Sequence, residues 1–367
     1  MLSCLTPLDL EGPTPPLLWG PFKPCWAFFL SDEGEDFSRI TSWFKKTAFH
    51  KKLIVCAVFI ILPFLFVGYV AYWYQHPQNN ETTTVLIEKG TSLSQIAQIL
   101  SKQKVLDSPD LFKSVVYGAG VTQKLKAGEY LIPAHITPAQ LIHILESGRV
   151  LLHPVTMIEG ETCTLLVKKL LSNSHFPGVC DIPEEGSLLP ETYHFAHGTD
   201  CQIVIKQMQR AMNETLAKVW AGRCQNHPLE TPQELLILAS IIEKETSRYR
   251  EKPVVAAVFL NRLKKGIPLQ ADPTVVYALT NGKENLGRSL VRLDLKIESP
   301  FNTYLYKGLP PTPISNPSLV SLKAAAHPAD VPYLYFVADG SGGHAFSTTL
   351  VDHQKHHTHW RKIRQKK

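Results

Sequence analysis

The sequence predicts an α+β protein carried on a single N-terminal transmembrane helix. Three observations predict it. One apolar run, Leu53 to Tyr74, has no charge; a strand–glycine–helix device occurs twice between residues 85 and 170; and strongly apolar helical runs follow residue 230. Apolar residues make up 44% of the 367 and charged residues 19%, with no low-complexity tract, which excludes a disordered chain. Only one run is long enough to span a bilayer, which excludes a polytopic membrane protein. The formal charge is +6, but Lys355, Arg361, Lys362, Arg364, Lys366 and Lys367 against Asp352 put +5 of it in the last 16 residues. The body is nearly neutral, so no nucleic-acid partner is expected.

The 22 residues from 53 to 74 would cover roughly 30 Å as a helix. Tyr69, Tyr72, Trp73 and Tyr74 form an aromatic belt at the exit; Lys45, Lys46, Lys51 and Lys52 precede the entry, and the next basic residue is Lys89. Pro63 interrupts the run, which a membrane helix tolerates. The charge bias makes residues 1–52 a cytoplasmic N-terminal tail, 53–74 the transmembrane helix, and the remainder external. A cleaved signal peptide fits poorly, because the run starts late, is too long and lacks a small-x-small exit. Cys163, Cys180, Cys201 and Cys224 fall on the external side, where two disulfides, one, or four buried thiols are all open.

The external part opens with Val85-Leu-Ile-Glu-Lys-Gly90-Thr-Ser92, a strand ending at a glycine turn, then a helical pattern through Ile96, Ala97 and Leu100. Val155-Thr-Met-Ile-Glu-Gly160 repeats the device, with Leu166 and Leu170 at the matching positions. Between the copies, Ser108-Pro109 and Thr137-Pro138 each start a helix with a capping residue followed by proline, and the second stops at Gly148. The first copy resembles a LysM-like βα module, over residues 83–150, either a spacer or a glycan-holding unit.

Thr231-Pro-Gln-Glu234 is a capping box opening a helix that reads Leu235 to Thr246. Apolar side chains cover nearly its whole circumference, so it should be buried. Glu243 projects between the directions of Leu236 and Ala239, and Glu245 between those of Leu238 and Ile241. Burial favours the neutral carboxyl and makes a proton donor at neutral pH. Alternatively, Lys244, Lys252 or Arg248 pairs with both and they are ordinary charges at a helix end. Val254 to Leu263 reads as a further amphipathic helix. Polar and Pro-rich turns follow, whose Asn, Gln, Thr and Tyr suit sugar hydroxyls.

Ala239-Ser-Ile-Ile-Glu-Lys-Glu-Thr246, Asn261-Arg-Leu, Leu269-Gln-Ala-Asp-Pro-Thr274, Phe301-Asn-Thr-Tyr304, Gly308-Leu-Pro-Pro311 and Ser321-Leu-Lys-Ala-Ala-Ala-His-Pro328 occur in this order. Tyr333-Leu-Tyr-Phe-Val337 and Gly342-Gly-His-Ala-Phe-Ser347 continue the series. Together they resemble the YceG-like (MltG) endolytic murein transglycosylases. The resemblance implies a mixed α/β YceG-like catalytic domain over 151–367. It also implies a lyase, anchored in the bacterial inner membrane, that cleaves the MurNAc-β-1,4-GlcNAc bond inside nascent peptidoglycan strands. Such cleavage leaves 1,6-anhydroMurNAc ends and limits strand elongation, with peptidoglycan synthases as partners. The catalytic glutamate that it implies is Glu243, while Glu245, Gln270, Asp272, Asn302 and Tyr304 fall on positions expected to line or support the cleft. Glu191 stands where the family pattern Gly-x-x-x-Pro-Asp-Thr-Tyr has Asp.

The mechanism implied needs one acid. The acid protonates the glycosidic oxygen and then, as base, activates the muramoyl 6-hydroxyl, so that an internal attack closes the anhydro ring. No cofactor and no metal is expected. His353, His356, His357 and His359 have helical metal spacing but stand among Lys and Arg, and His344 reads as an imidazole tying down a glycine turn. The rival from another class is a catalytically silent peptidoglycan-binding scaffold; an ordinary hydrolase would need a second carboxylate, with Asp272 as its candidate.

Overall fold

The computed structural model describes residues 49–225 and 227–365. Most of the expected cytoplasmic tail therefore lies outside the described residues. The described chain divides into two compact units on either side of residue 75. The first is helix α1 (Phe49–Gln75), 27 residues with Pro63 inside, or about 40 Å at 1.5 Å per residue. Within its segment Cys56–Gln75 an 18-residue window has a mean hydropathy of 2.1. Phe59, Ile60, Phe64, Leu65 and Phe66 on it are exposed, unlike the side chains of a soluble core helix.

The second unit starts with β1 (Thr83–Ile87), α2 (Leu93–Lys102), α3 (Pro109–Gly118), β2 (Gly128–Ile132) and α4 (Pro138–Ser147). β1 and β2 pair antiparallel, with Val85 opposite Tyr130. Val85, Tyr130 and Ile132 on this hairpin are fully buried, as are Leu100, Phe112, Val116, Leu141 and Leu145 on the helices. Ser92 and Thr137 form capping boxes with Gln95 and Gln140. Gly148 caps α4 in the left-handed region at φ 70°. Ser108, expected to cap α3, makes no side-chain cap bond; Pro109 alone marks that start.

β3 (Leu152–Thr156) follows, then α5 (Cys163–Leu171), β4 (Thr192–Ala196) and α6 (Cys201–Ala221). β3 pairs antiparallel with β4, and a core of Val155, Leu166, Leu170, Phe195, Val204 and Met208 joins the hairpin to both helices. The Leu151 N–H donates to the Glu129 carbonyl at 2.6 Å, so β2 is tied to the start of β3 across the expected boundary at residue 150. A disulfide joins Cys180 to Cys201, while Cys163 is a buried thiol and Cys224 a partly buried one.

The larger core belongs to α6, α7 (Pro232–Glu245), α8 (Lys252–Lys264) and α10 (Leu319–Ala326). Leu235 through Ile242 are all buried, as the unbroken apolar circumference predicts. α8 is also buried through six consecutive residues, Val255–Leu260, so it is a central helix and not an amphipathic one. α9 (Asp272–Thr280) lies between α8 and α10 in the chain. β5 (Tyr335–Ala338) and β6 (His344–Ser347) form a hairpin, and α11 (Leu350–Gln365) carries Lys355, Arg361, Lys362 and Arg364 on exposed positions.

The disulfide spans a sequence separation of 21, and closing a loop of that size restricts the unfolded chain by about 3 kcal/mol. Replacing Cys180 and Cys201 by Ser should lower unfolding stability by about that amount and abolish the response of the melt to reductant.

Candidate active site

Two carboxylates two residues apart on a helix point to nearly opposite sides, about 200° apart. At the end of α7 this sends Glu243 inward and Glu245 toward the α9 side. The Glu243 side chain is 4% exposed and meets the Lys252 ammonium, 1% exposed, at 2.5 Å. Lys252 also donates to Ser321 Oγ at 2.8 Å. The second Glu243 oxygen accepts from the Ser318 N–H at 2.8 Å and its hydroxyl at 2.6 Å. Ser318 is itself the N-cap of α10. One carboxylate therefore ties the end of α7 to the starts of α8 and α10. Burial alone pushes the Glu243 carboxyl up, but the bonds from Lys252 and Ser318 outweigh it and hold it below its usual value.

Glu245 has the opposite setting. Among the described residues it makes no hydrogen bond or ion pair. Burial, and then the Asp272 charge, push its carboxyl up to about 8, against the opposing pull of Arg262. A group with that property is protonated at neutral pH. The raised proton affinity that burial is expected to give a carboxyl here is found at Glu245 and not at Glu243. The expected pairing with a lysine is real but involves Glu243 alone.

The surroundings of Glu245 come from the expected motifs. Asp272 opens α9, where a carboxylate complements the helix dipole, and is exposed. Tyr304 donates its hydroxyl to Asp272 at 2.5 Å. Arg262, 8% exposed, donates to the Leu334, Pro268 and Leu269 carbonyls and to the Gln270 side chain at 3.4 Å. Gln270 is exposed, in the left-handed region at φ 50°, and its N–H is held by the Thr303 carbonyl. A non-glycine residue in that region is strained, which marks the turn as one its surroundings impose.

Asn302, expected to line or support the cleft, supports its own loop. It is fully buried and donates both amide hydrogens to the Leu295 and Ile297 carbonyls, while its oxygen accepts from the Tyr304 N–H. It shapes the loop that presents Tyr304. Glu191 is exposed, and its backbone carbonyl accepts from the Met157 N–H. His344 shares a hydrogen bond with Glu251 at 2.8 Å, as an imidazole tying down its turn should.

The second strand–glycine–helix device docks on this helix end. Gly160 has φ 74°, and a Cβ there would meet the Lys244 side chain at 3.1 Å and Glu243 Cγ at 3.4 Å. Lys244 donates to the Gly160 carbonyl and the Gly160 N–H to the Asn316 carbonyl. A cavity of about 240 Å³ between this turn and α9 is lined by Lys244, Pro273, Tyr277 and Gly282, next to the helix end. A larger one, about 460 Å³, is bordered by Lys218, Lys323 and His327, and neither Glu243 nor Glu245 lines either cavity.

The sequence offers Lys252 only as one of three candidate partners for the carboxylates and does not single out Ser318 or Arg262 as site residues. Only Arg262, within Asn261-Arg-Leu, lay in a recognisable motif.

Removing one partner of a buried ion pair leaves the other uncompensated. Glu243→Gln or Lys252→Met should each cost about 3–5 kcal/mol of stability in a denaturant melt, whereas Glu243→Leu with Lys252→Met should cost far less.

The chain matches the YceG-like family over residues 85–359. A Bacillus subtilis protein named endolytic murein transglycosylase is 33% identical over 306 residues, covering 75% of this chain and 83% of that protein. A Streptococcus pneumoniae protein of the same name is 32% identical over 173 residues, 47% of this chain and 31% of its own length. A crystal structure of a yceG-like protein from Listeria monocytogenes is similar at a TM-score of 0.50 and 30% identity, over 75% of this chain and 98% of that one. The matched region contains both carboxylates, the Arg262 hub and the loops around them, and the chain belongs to the YceG-like family.

Proposed function

We propose that this protein is an endolytic peptidoglycan transglycosylase, a lyase, in which Glu245 is the general acid. The contrast between neighbours carries the acid assignment: Glu243 is tied into a buried ion pair, while Glu245 makes no such pair and burial, then the Asp272 charge, push its carboxyl up to about 8. The reaction class rests on the family and on the relatives named endolytic murein transglycosylase.

Protonated Glu245 donates its proton to the glycosidic oxygen as positive charge develops on the muramoyl ring. The carboxylate so formed accepts the proton of that sugar's 6-hydroxyl, whose oxygen attacks the anomeric carbon. The attacking group is already attached, so the step avoids the entropy of recruiting a second molecule. Asp272, held by Tyr304, is the nearby negative charge that favours a cationic ring, and Arg262 holds the Gln270 turn beside it. Glu243 acts as a positioning residue, since it anchors the helix end that carries Glu245.

The α1 helix serves as a single-pass anchor, with the basic residues before it on the cytoplasmic side and the catalytic unit outside. Its length and exposed apolar side chains support this reading. The β1–β2 unit, as a LysM-like module, would hold glycan beside the cleft.

Glu245→Gln keeps the size but cannot donate, so cleavage should fall by about two orders of magnitude or more with the melt retained. Because the active form is protonated, the wild-type rate should decline as pH rises past about 8. An unchanged rate in Glu245→Gln would move the acid elsewhere.

Mass spectrometry of products from intact glycan strands tests the reaction itself. Anhydro ends, one water lighter than reducing ends, are expected; reducing ends would mean hydrolysis, and uncut strands would favour a scaffold.

A further inference from the structure

Glu129, His153, His175 and His197 come from four separate segments: β2, β3, the loop after α5, and the residue following β4. Their ligand atoms all lie within 4.8 Å of one another. His175 Nδ1 and His197 Nδ1 are 3.1 Å apart, and His197 Nδ1 is 3.9 Å from the Glu129 carboxylate. His153 Nε2 is hydrogen-bonded to that same carboxylate oxygen. The His153 and His175 rings stack with centroids 3.7 Å apart. Side-chain exposures of 14–27% at Glu129, His153 and His197 make the cluster partly sheltered.

We infer that these four residues form a structural zinc site that fastens the β1–β2 unit to the β3–β4 hairpin. Two facing Nδ1 atoms can share at most one proton, so at least one of them presents a lone pair to its neighbour. Ligands about 2.0–2.1 Å from a tetrahedral ion stand about 3.3 Å apart. The His175–His197 distance already matches, His197 and Glu129 need to close by about 0.6 Å, His153 and Glu129 need to move apart, and no pair exceeds the tetrahedral spacing by more than about 1.5 Å. Among the described residues the Glu129 carboxylate has only imidazoles as side-chain partners. Three nitrogens and one carboxylate oxygen suit a borderline transition ion, not calcium or magnesium, which take oxygen ligands. Four protein ligands leave no open position, as in a structural zinc centre.

The supporting backbone is already in place. The Gly198 N–H donates to the His175 carbonyl at 2.9 Å, holding the His175 loop beside His197. The Cys180–Cys201 disulfide joins the two segments again. Only Glu129 comes from the first external unit, so a bound ion would cross-link that unit to the rest. The site shares no residue with the Glu245 cleft. The C-terminal histidines, which have the more obvious spacing, are engaged separately: His353 stacks on Tyr335 and His356 bonds Ser347.

The test uses the full chain, solubilised and without a polyhistidine tag, stripped with chelator and then dialysed against zinc. Elemental analysis should find one zinc per chain, and the melting temperature should rise on zinc addition. His175→Ala and Glu129→Gln should each weaken zinc binding by at least about tenfold, with the metal-free melt unchanged; Glu129→Gln guards against a folding defect in the first. Replacing His353, His356, His357 and His359 by Ala should leave binding intact. Absence of stoichiometric zinc, or its loss only in the C-terminal variant, would overturn the inference.

Discussion

The catalytic unit depends on one buried ion pair, between the Glu243 carboxylate and the Lys252 ammonium, both almost fully withdrawn from water. Neither charge could be buried alone, since desolvation of a single ion costs far more than a side-chain hydrogen bond returns. Each is therefore supplied with further partners: Ser321 on the lysine, and the Ser318 N–H and hydroxyl on the glutamate. Those partners belong to α10 and its cap, so charge neutralisation requires three helix ends to meet at one place. The apolar core of α7, α8 and α10 supplies most of the burial energy, but it is less directional. The polar cluster determines how the helix ends are aligned.

That alignment separates two chemically identical side chains. Glu243 and Glu245 share a helix end, yet the helical period turns them to different sides. One finds a cation and two hydrogen-bond donors; the other finds burial and the charge of Asp272. Their proton affinities diverge accordingly, the arrangement by which a single helix can carry a fixed anion and a proton donor. The same economy holds around the cleft. Arg262 spends its guanidinium on backbone carbonyls and the Gln270 side chain, and Asn302 spends its amide on its own loop. Residues that look suited to sugars in sequence are thus divided between those that build the walls and those that face outward.

The sequence alone determined the apolar run of α1, the capping boxes at Ser92, Thr137 and Thr231, and the full burial of α7. These depend on residues close together in the chain, where helix periodicity and side-chain capping act locally. It also carried the series of motifs by which the family is recognisable. The sequence leaves the disulfide pairing open, and it reads α8 as amphipathic where the packing buries Val255 through Leu260. Only the tertiary structure decides how the proton affinities of Glu243 and Glu245 diverge, because Lys252, Ser318, Asp272 and Arg262 reach them from other helices and loops and electrostatic energies depend on distances in space. The four residues of the proposed zinc site were likewise hidden: three histidines and a glutamate on separate segments have no local spacing to read, and only the packing of two hairpins brings their lone pairs together.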